Sequence, residues 1–257
     1  MKYTLITGAS KGLGKAFAYD CAKRGMNLLL VARSSHLLEP LAADLKQKHA
    51  IEVHTFSCDL LDHVAYRKIF DWVKENGFAV NMLVNNAGMG FYGQFDEQPL
   101  DKHLQVMHLN MDAMVKVAHE FLVSTDAAQQ RYILNVVSMG GFLPVPYMAI
   151  YAASKAFMLS FSKSLRYELK QKKVNVTALC PGGVDTEFFG PAQMETIAKK
   201  TANLMMTAEE VAKEGIDALL ANKMEVVPGF TNKIGAFASK MAPDSLVISQ
   251  AGRLYKP

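Results

Sequence analysis

The sequence is poor in the residues that build disulfide and metal sites. It contains 3 cysteines in 257 residues, and Cys21, Cys58 and Cys180 lie far apart. This spacing excludes a C-x-x-C zinc or redox motif and favours a reducing compartment. The 7 histidines form no H-x-x-x-H pair, so we expect no metal site.

Long runs of one residue character are also missing. No apolar stretch approaches the roughly 20 residues of a membrane-spanning helix. No block of like charges points to nucleic acid, and the net charge is only +4. Gly8 interrupts the N-terminal apolar run too early for a signal peptide. With no repeat and no Pro/Gly linker, we expect one cytoplasmic domain over residues 1–257.

What the sequence does have is a regular alternation of short buried runs and helical patterns. Seven runs read as strands: Tyr3–Thr7, Leu28–Ala32, Ile51–Phe56, Val80–Val84, Tyr132–Val137, Val174–Leu179 and Glu225–Val227. Apolar runs of this length, separated by helices, are typical of βαβ units. Right-handed crossovers then place helices on both faces of the sheet. The prediction is a three-layer, doubly wound α/β fold with a seven-stranded parallel sheet.

A glycine-rich loop follows the first predicted strand. Thr7-Gly-Ala-Ser-Lys-Gly-Leu-Gly14 places glycines at 8, 12 and 14. Glycines there allow a tight turn and a close approach of the backbone to a pyrophosphate at a helix N-terminus. The alternative is a plain glycine-rich turn. Because the loop lies between a strand and a helix, it favours a Rossmann-type dinucleotide site that includes Gly8, Ser10, Lys11, Gly12, Leu13 and Gly14.

The end of the second strand indicates which dinucleotide binds. A carboxylate in this region bonds the ribose 2′-hydroxyl of NAD, but the sequence here reads Val31-Ala-Arg33-Ser-Ser. Arg33 is suited to a 2′-phosphate, and Lys11 adds a second positive charge. The alternative is that Arg33 is an ordinary surface arginine. We predict a preference for NADP(H).

Three side chains predict acid–base chemistry. Tyr151 and Lys155 are one turn apart in a segment with helical period, Tyr147–Lys170, so they share a face. An ammonium near a phenol lowers the pKa of the phenol, which can then exchange a proton with a carbonyl or alcohol. Ser138 follows the fifth strand and can bond the same oxygen. By itself, Y-x-x-x-K is also compatible with an ordinary exposed helix.

Together these residues resemble the short-chain dehydrogenase/reductase family. The ordered motifs are Thr7-Gly-x-x-x-Gly-x-Gly14, Asp59-Leu60, Asn85-Asn-Ala-Gly88, Asn110, Ser138, Tyr151-x-x-x-Lys155 and Pro181-Gly182-x-Val184-x-Thr186.

The resemblance implies a role for each of these residues. Tyr151 is the general acid/base, Lys155 tunes it and binds the nicotinamide ribose, Ser138 positions the substrate oxygen, and Asn110 holds a water linked to Lys155. The cofactor contacts it implies are adenine at Asp59 and Leu60, the ring floor at Asn86, Ala87 and Gly88, and the carboxamide at Pro181, Gly182, Val184 and Thr186. A non-catalytic NADP(H) sensor is the alternative, but a sensor does not need the tyrosine.

The expected rim of the site is apolar. Its residues are Met89, Phe91, Tyr92, Met139, Phe142, Leu143, Tyr147, Phe188, Phe189, Met205 and Met206, the last four within or beside a substrate lid at 187–206. This composition favours an apolar ketone, aldehyde or acyl chain. Packing between lid and body, or between subunits, is the alternative.

Two further segments concern assembly. The apolar-striped helices Leu104–Val123 and Ala152–Leu169 resemble those that pair across the family's dimer interface, so we expect a homodimer or homotetramer. Residues 229–257 are expected to form a C-terminal extension of two short amphipathic helices, and they hold most of the chain's net positive charge. Its apolar stripes, including Ile234, Phe237 and Met241, are expected to pack on the body of the enzyme. The less favoured alternative is contact with an anionic membrane surface.

Overall fold

Strands alternate with helices along the computed structural model, which describes residues 1–185 and 205–256. Within these ranges the strands are β1 (Tyr3–Thr7), β2 (Asn27–Ala32), β3 (Val53–Ser57), β4 (Val80–Asn85), β5 (Arg131–Val136), β6 (Val174–Leu179), β7 (Val184–Asp185), β8 (Met206–Thr207) and β9 (Glu225–Val226). Seven of them form one parallel sheet in the order β3-β2-β1-β4-β5-β6-β9. Strands β7 and β8 pair separately.

The central strands are buried on both faces. Every residue of β1 is buried, and Leu5 pairs in register with Leu29 of β2 and Leu83 of β4. A strand covered on both sides by helices needs apolar residues at successive positions, which explains the continuous runs. The order of the chain reverses between β1 and β4, which is where ligands bind in open α/β sheets.

The helices are α1 (Gly12–Lys23), α2 (Ser35–Lys48), α3 (Ala65–Glu75), α4 (Leu100–Met107), α5 (Met114–Ser124), α6 (Ala149–Glu168), α7 (Ala208–Leu220), α8 (Phe230–Met241) and α9 (Asp244–Leu254). A π-helix over His108–Ala113 joins α4 to α5, and a 3-10 helix spans Met139–Gly141. Helices α1, α2 and α7 cover one face of the sheet, and α3, α5 and α6 cover the other.

The structure confirms the predicted three-layer fold and all seven strands, with small differences at their ends. The helix predicted around Tyr151 is α6. The apolar stripe over 104–123 is not one α-helix, because the π-helix interrupts it. The pairing of β7 with β8 had no sequence signal, since each strand has only two residues. Most of the predicted lid, including Phe188 and Phe189, lies outside the described residues.

The C-terminal extension forms the two predicted helices, α8 and α9. However, the prediction that the apolar stripe of α8 packs on the enzyme body is wrong. Ile234, Phe237 and Met241 are 54%, 70% and 73% exposed. Helix α8 packs through its opposite side instead, where Ala236 is buried. No helix within 1–185 or 205–256 is long and apolar enough to cross a membrane.

Candidate active site

A cavity of about 690 Å³ opens at the carboxyl ends of the central strands. It brings together nearly all the predicted site residues: Gly8, Ser10, Lys11, Gly12, Leu13, Gly14, Arg33, Asp59, Leu60, Asn86, Ala87, Gly88, Ser138, Tyr151, Lys155, Pro181, Gly182 and Val184. Two predicted residues remain to be placed. Thr186 lies outside the described residues, and Asn110 is buried behind the wall.

The glycine loop has a backbone that only glycine adopts easily. Gly8 and Gly12 have φ angles of +65° and +48°, where a side chain would be strained. A Cβ atom at Gly14 would lie 2.1 Å from the carbonyl oxygen of Gly8. Helix α1 therefore begins in contact with the loop, and its N-terminal N–H groups are near the cavity. This cradle fits the pyrophosphate of a dinucleotide.

Hydrogen bonds lock the loop after β4 to the glycine loop. Thr7 Oγ1 accepts hydrogen bonds from the backbone N–H groups of Asn86 at 2.9 Å and Ala87 at 3.1 Å. The side chain of Asn86 donates in return to the carbonyl of Thr7 at 2.9 Å. The side chain of Asn86 therefore holds the glycine loop in position, and Thr7 connects that loop to the loop after β4. This role of Thr7 was not predicted from the sequence.

Arg33 lies at one end of the cavity, at the end of β2. Its side chain is 63% exposed, and Nη1 is 4.0 Å from an Asp59 carboxylate oxygen. At that distance and exposure the ion pair is weak. The guanidinium can therefore turn to a phosphate, for which its planar fork is well suited.

At the other end lie Ser138, Tyr151 and Lys155. Helix α6 carries the tyrosine and the lysine one turn apart, and Ser138 follows β5. Ser138 Oγ accepts a hydrogen bond from the N–H of Gly140 at 3.1 Å, which fixes the serine against the 3-10 helix. Lys155 is 4% exposed, and its Nζ donates to the carbonyl of Val136 at 3.0 Å.

The electrostatics of this end differ from the expectation. Burial raises the pKa of Tyr151 to about 12, which outweighs the lowering effect of its hydrogen bond with Ser138. Burial also lowers the pKa of Lys155 to about 8. The prediction of a net lowered pKa for the phenol is wrong for this structure, because the loss of hydration on burial outweighs the effects that stabilise the phenolate.

Asn110 holds the loop after β4 from within the π-helix. It is fully buried, and its amide exchanges two hydrogen bonds with the backbone of Met89, each 2.9 Å long. The amide also donates to Ser154 Oγ at 3.1 Å. A Cβ at Gly88 would lie 3.2 Å from Asn110 and 3.5 Å from Lys155 Nζ. Asn110 thus holds the segment Gly88–Met89 next to Lys155. Its predicted role in holding a water molecule stays a prediction.

Two cavity residues from the C-terminal extension, Asn232 and Tyr255, were not predicted from the sequence. Tyr92 Oη donates to the backbone carbonyl of Tyr255 at 2.9 Å, which ties the end of the chain to the active-site wall. No local motif marks either residue. The only available signal was the length of chain remaining after the last strand.

The described part of the rim is largely apolar. Met89 and Met139 line the cavity as expected, together with Leu109, Val145 and Met148. Tyr92 and Tyr147 pack in a cluster with Val145, Met148 and Tyr151 and so support the wall without lining it. The described part of the rim therefore offers mainly apolar contacts.

One group of potential metal ligands lies outside the cavity. His63, His108 and Asp112 each offer a ligand atom within 4.8 Å of the others. The carboxylate of Asp112 already pairs with Lys116 at 2.9 Å and with His108 at 2.8 Å. The ammonium of Lys116 therefore already pairs with the one carboxylate of this group, which would otherwise be its only anionic ligand for a metal ion.

Comparison with known proteins gives the context for this site. A family model described as short chain dehydrogenase matches residues 2–196. Human 17-beta-hydroxysteroid dehydrogenase type 3 is 31% identical over 92% of this chain and 76% of its own length. Mouse very-long-chain 3-oxoacyl-CoA reductase is 34% identical over 78% of this chain, and the match spans 65% of that protein.

Solved structures agree over almost the whole chain. A structure from work on the stereoselectivity of 7beta-hydroxysteroid dehydrogenase has a TM-score of 0.87 at 25% identity, and the match covers 98% of this chain and 96% of that one. A short-chain dehydrogenase from Sphingobium yanoikuyae in complex with NADPH has a TM-score of 0.82 at 29% identity, covering 96% and 94%. The fold is therefore that of short-chain dehydrogenases.

Proposed function

Because this chain belongs to the short-chain dehydrogenase family, we propose that it is an NADP(H)-dependent oxidoreductase that interconverts an apolar ketone or aldehyde and its alcohol. One observation carries the proposal. Ser138, Tyr151 and Lys155 lie in the same cavity as the glycine loop and Arg33. Proton-transfer groups at one end and phosphate-binding groups at the other fit a reaction between a nicotinamide and a carbonyl.

The residues present fit NADP(H). The loop from Gly8 to Gly14 would hold the pyrophosphate, and Arg33 with Lys11 would bind the 2′-phosphate of the adenosine ribose. Asp59 and Leu60 would border the adenine. Residues 86–88 together with Pro181, Gly182 and Val184 would enclose the nicotinamide. When bound, the nicotinamide supplies the hydride for reduction or accepts it in oxidation.

The chain's own residues handle the proton and the oxygen. Ser138 donates a hydrogen bond to the substrate oxygen and fixes it beside Tyr151. Tyr151 gives its phenolic proton to that oxygen as negative charge develops there. A pKa of about 12 keeps the phenol protonated at neutral pH, which suits carbonyl reduction. The Lys155 ammonium stabilises the phenolate left behind.

The substrate class follows from the lining and from the names of the relatives. Met89, Met139, Val145 and Met148 offer apolar contact and few groups that could bind a sugar or a charged acid. The relatives include a hydroxysteroid dehydrogenase and a very-long-chain 3-oxoacyl-CoA reductase. Both names describe carbonyl compounds with a large apolar portion.

We further propose that the enzyme acts in the cytoplasm as a homodimer or homotetramer. Leu104, Val123 and Phe157 on α4, α5 and α6 are 49%, 62% and 45% exposed. Large apolar groups exposed on neighbouring helices favour an interface between subunits.

The test is a turnover assay of the purified protein with NADPH against a carbonyl panel. The panel should include steroid ketones, long-chain 3-oxoacyl thioesters and aliphatic aldehydes, with sugars as polar controls. We expect NADPH oxidation with the apolar carbonyls and little with the sugars. A protein that binds NADPH tightly but turns over none of these compounds would favour the sensor alternative.

A further inference from the structure

Helix α8 presents its large apolar side chains to solvent. Phe230, Ile234, Phe237 and Met241 are 76%, 54%, 70% and 73% exposed. Their spacings of four, three and four residues place them on one narrow stripe of the helix. The opposite side carries small or polar residues, and it is this side that packs inward, with Ala236 5% exposed. In an ordinary surface helix the apolar side faces the core, whereas in α8 the apolar side faces solvent.

Helix α9 extends this apolar surface. None of its residues is buried, and Leu246, Ile248 and Leu254 are 58%, 40% and 39% exposed. We use the name tail surface for the exposed apolar residues of both helices: Phe230, Ile234, Phe237, Met241, Leu246, Ile248 and Leu254. So many exposed apolar side chains within 25 residues mark an interaction surface.

The charge of the same segment is strongly biased. Residues 229–257 contain four basic residues, Lys233, Lys240, Arg253 and Lys256, and Asp244 is their only acidic residue. This segment thus accounts for most of the chain's net charge of +4. Lys233, which precedes Ile234 on α8, has a side chain 56% exposed, and Glu214 of α7 lies 3.9 Å away. An exposed apolar surface in a segment of net positive charge fits a partner that is both apolar and anionic.

A second copy of the chain fits this requirement poorly. In a two-fold dimer the same patch meets itself, so two copies of this basic segment would face each other. An anionic membrane surface satisfies both requirements, because it accepts apolar side chains at the acyl boundary and attracts Lys and Arg. We propose that the tail surface docks the enzyme on the surface of membranes that contain anionic lipid.

This docking surface adjoins the mouth of the cavity. Asn232 of α8 and Tyr255, which follows α9, both line the cavity that contains Tyr151. The inner sides of these elements therefore form the active-site wall, while the outer side of α8 would face lipid. Docking goes beyond the proposed reaction and does not depend on it, since it can be measured without turnover.

The test is co-sedimentation of the full-length protein with phosphatidylcholine vesicles that either contain or lack phosphatidylserine. We expect binding to the anionic vesicles that weakens as salt is added, because exposed charges are screened. Phe230→Ser/Phe237→Ser should lower the partition coefficient at least tenfold. Its matched control, Val64→Ser/Met224→Ser, removes two exposed apolar residues away from the tail surface and from the proposed subunit interface, and it should bind like the wild type.

Two double variants that each remove two positive charges test the electrostatic contribution to vesicle binding. Lys233→Gln/Arg253→Gln should weaken binding about fivefold per residue removed. Lys46→Gln/Lys170→Gln changes the net charge equally and should not. Circular dichroism and NADPH binding establish that every variant is folded.

Two results would overturn the proposal. One is equal sedimentation of the wild type and the Phe230→Ser/Phe237→Ser variant with anionic vesicles. The other is an absence of vesicle binding together with a lower mass of that variant in light scattering, which would assign the tail surface to a second copy of the chain.

Discussion

The ammonium of Lys155 lies 5.7 Å from the centroid of the Tyr151 ring and donates a hydrogen bond to the carbonyl of Val136. The lysine is thus near enough to stabilise a phenolate, although the group to which it donates a hydrogen bond is the carbonyl of Val136 at the end of β5. Burial opposes charge on both groups, raising the pKa of Tyr151 and lowering that of Lys155. In the free protein Tyr151 is therefore protonated at neutral pH, and burying the charged Lys155 lowers the stability of the fold.

This cost leads to a prediction for Lys155→Met. The pKa of Lys155 falls from 10.5 to about 8 on folding, so burying the charged lysine costs on the order of 3 kcal/mol at neutral pH. Methionine should therefore raise the free energy of unfolding of the cofactor-free protein by about that amount near pH 7. Turnover should be lost.

The pH dependence of this effect has a definite sign. Between the two pKa values the unfolded state binds more protons than the folded state, so the stability of the wild type rises with pH. The advantage of Lys155→Met should be complete below pH 8 and shrink as the pH approaches 10.5. Urea unfolding near both ends of this window measures it. A variant less stable than wild type near neutrality would contradict the prediction.

Arg33→Asp should reverse the cofactor preference. A carboxylate repels a 2′-phosphate but can bond a 2′-hydroxyl. We expect the Kd for NADPH to rise at least tenfold relative to that for NADH, measured by fluorescence titration. Arg67→Asp makes the same change of charge on an exposed residue of α3 and should leave both affinities unchanged. Equal losses of affinity for both cofactors would show that Arg33 is not the discriminator.

Gly14→Ala should abolish dinucleotide binding or prevent folding. The added Cβ would lie 2.1 Å from the Gly8 carbonyl oxygen, so either the loop or the start of α1 must move. Gly235→Ala is the matched control, since its nearest neighbour is a flexible methionine side chain at 3.7 Å. Thermal unfolding with and without NADPH compares the two variants. Normal NADPH binding by Gly14→Ala would contradict the account of the loop.

The oligomer should depend on α4 and α6 rather than on the tail surface. Leu104→Glu/Phe157→Glu puts charges on two exposed apolar positions and should shift the protein to monomers in light scattering at micromolar concentration. Val64→Glu, at an exposed position before α3, should leave the mass unchanged. A wild-type protein that is already monomeric would refute the proposed assembly.

The sequence predicted the parts of this molecule that depend on local patterns. Continuous apolar runs identified the strands because a sheet covered on both faces admits no alternation, as at Leu28–Val31. The glycine loop and the pair Tyr151/Lys155 were recognisable because their spacing fixes their geometry. The π-helix that contains Asn110 was not recognisable, since the apolar residues around it have the spacing of an ordinary α-helix.

Features that depend on tertiary packing escaped the sequence analysis. Tyr255 reaches the cavity only because the whole extension folds back and Tyr92 binds its carbonyl. The raised pKa of Tyr151 depends on the depth of the finished site. The exposure of Phe237 was misjudged because an amphipathic pattern does not say which side of a helix faces the protein.

The central claim is that Tyr151 transfers the proton in a reaction driven by NADPH. Its most direct test is the rate of NADPH oxidation by Tyr151→Phe with the best substrate of the carbonyl panel, measured beside the Kd for NADPH. Tyr167→Phe, an exposed tyrosine on the same helix, is the control. The account predicts that Tyr151→Phe loses turnover by at least about a thousandfold, with NADPH binding nearly unchanged and the control fully active. Turnover within tenfold of the wild type would contradict it.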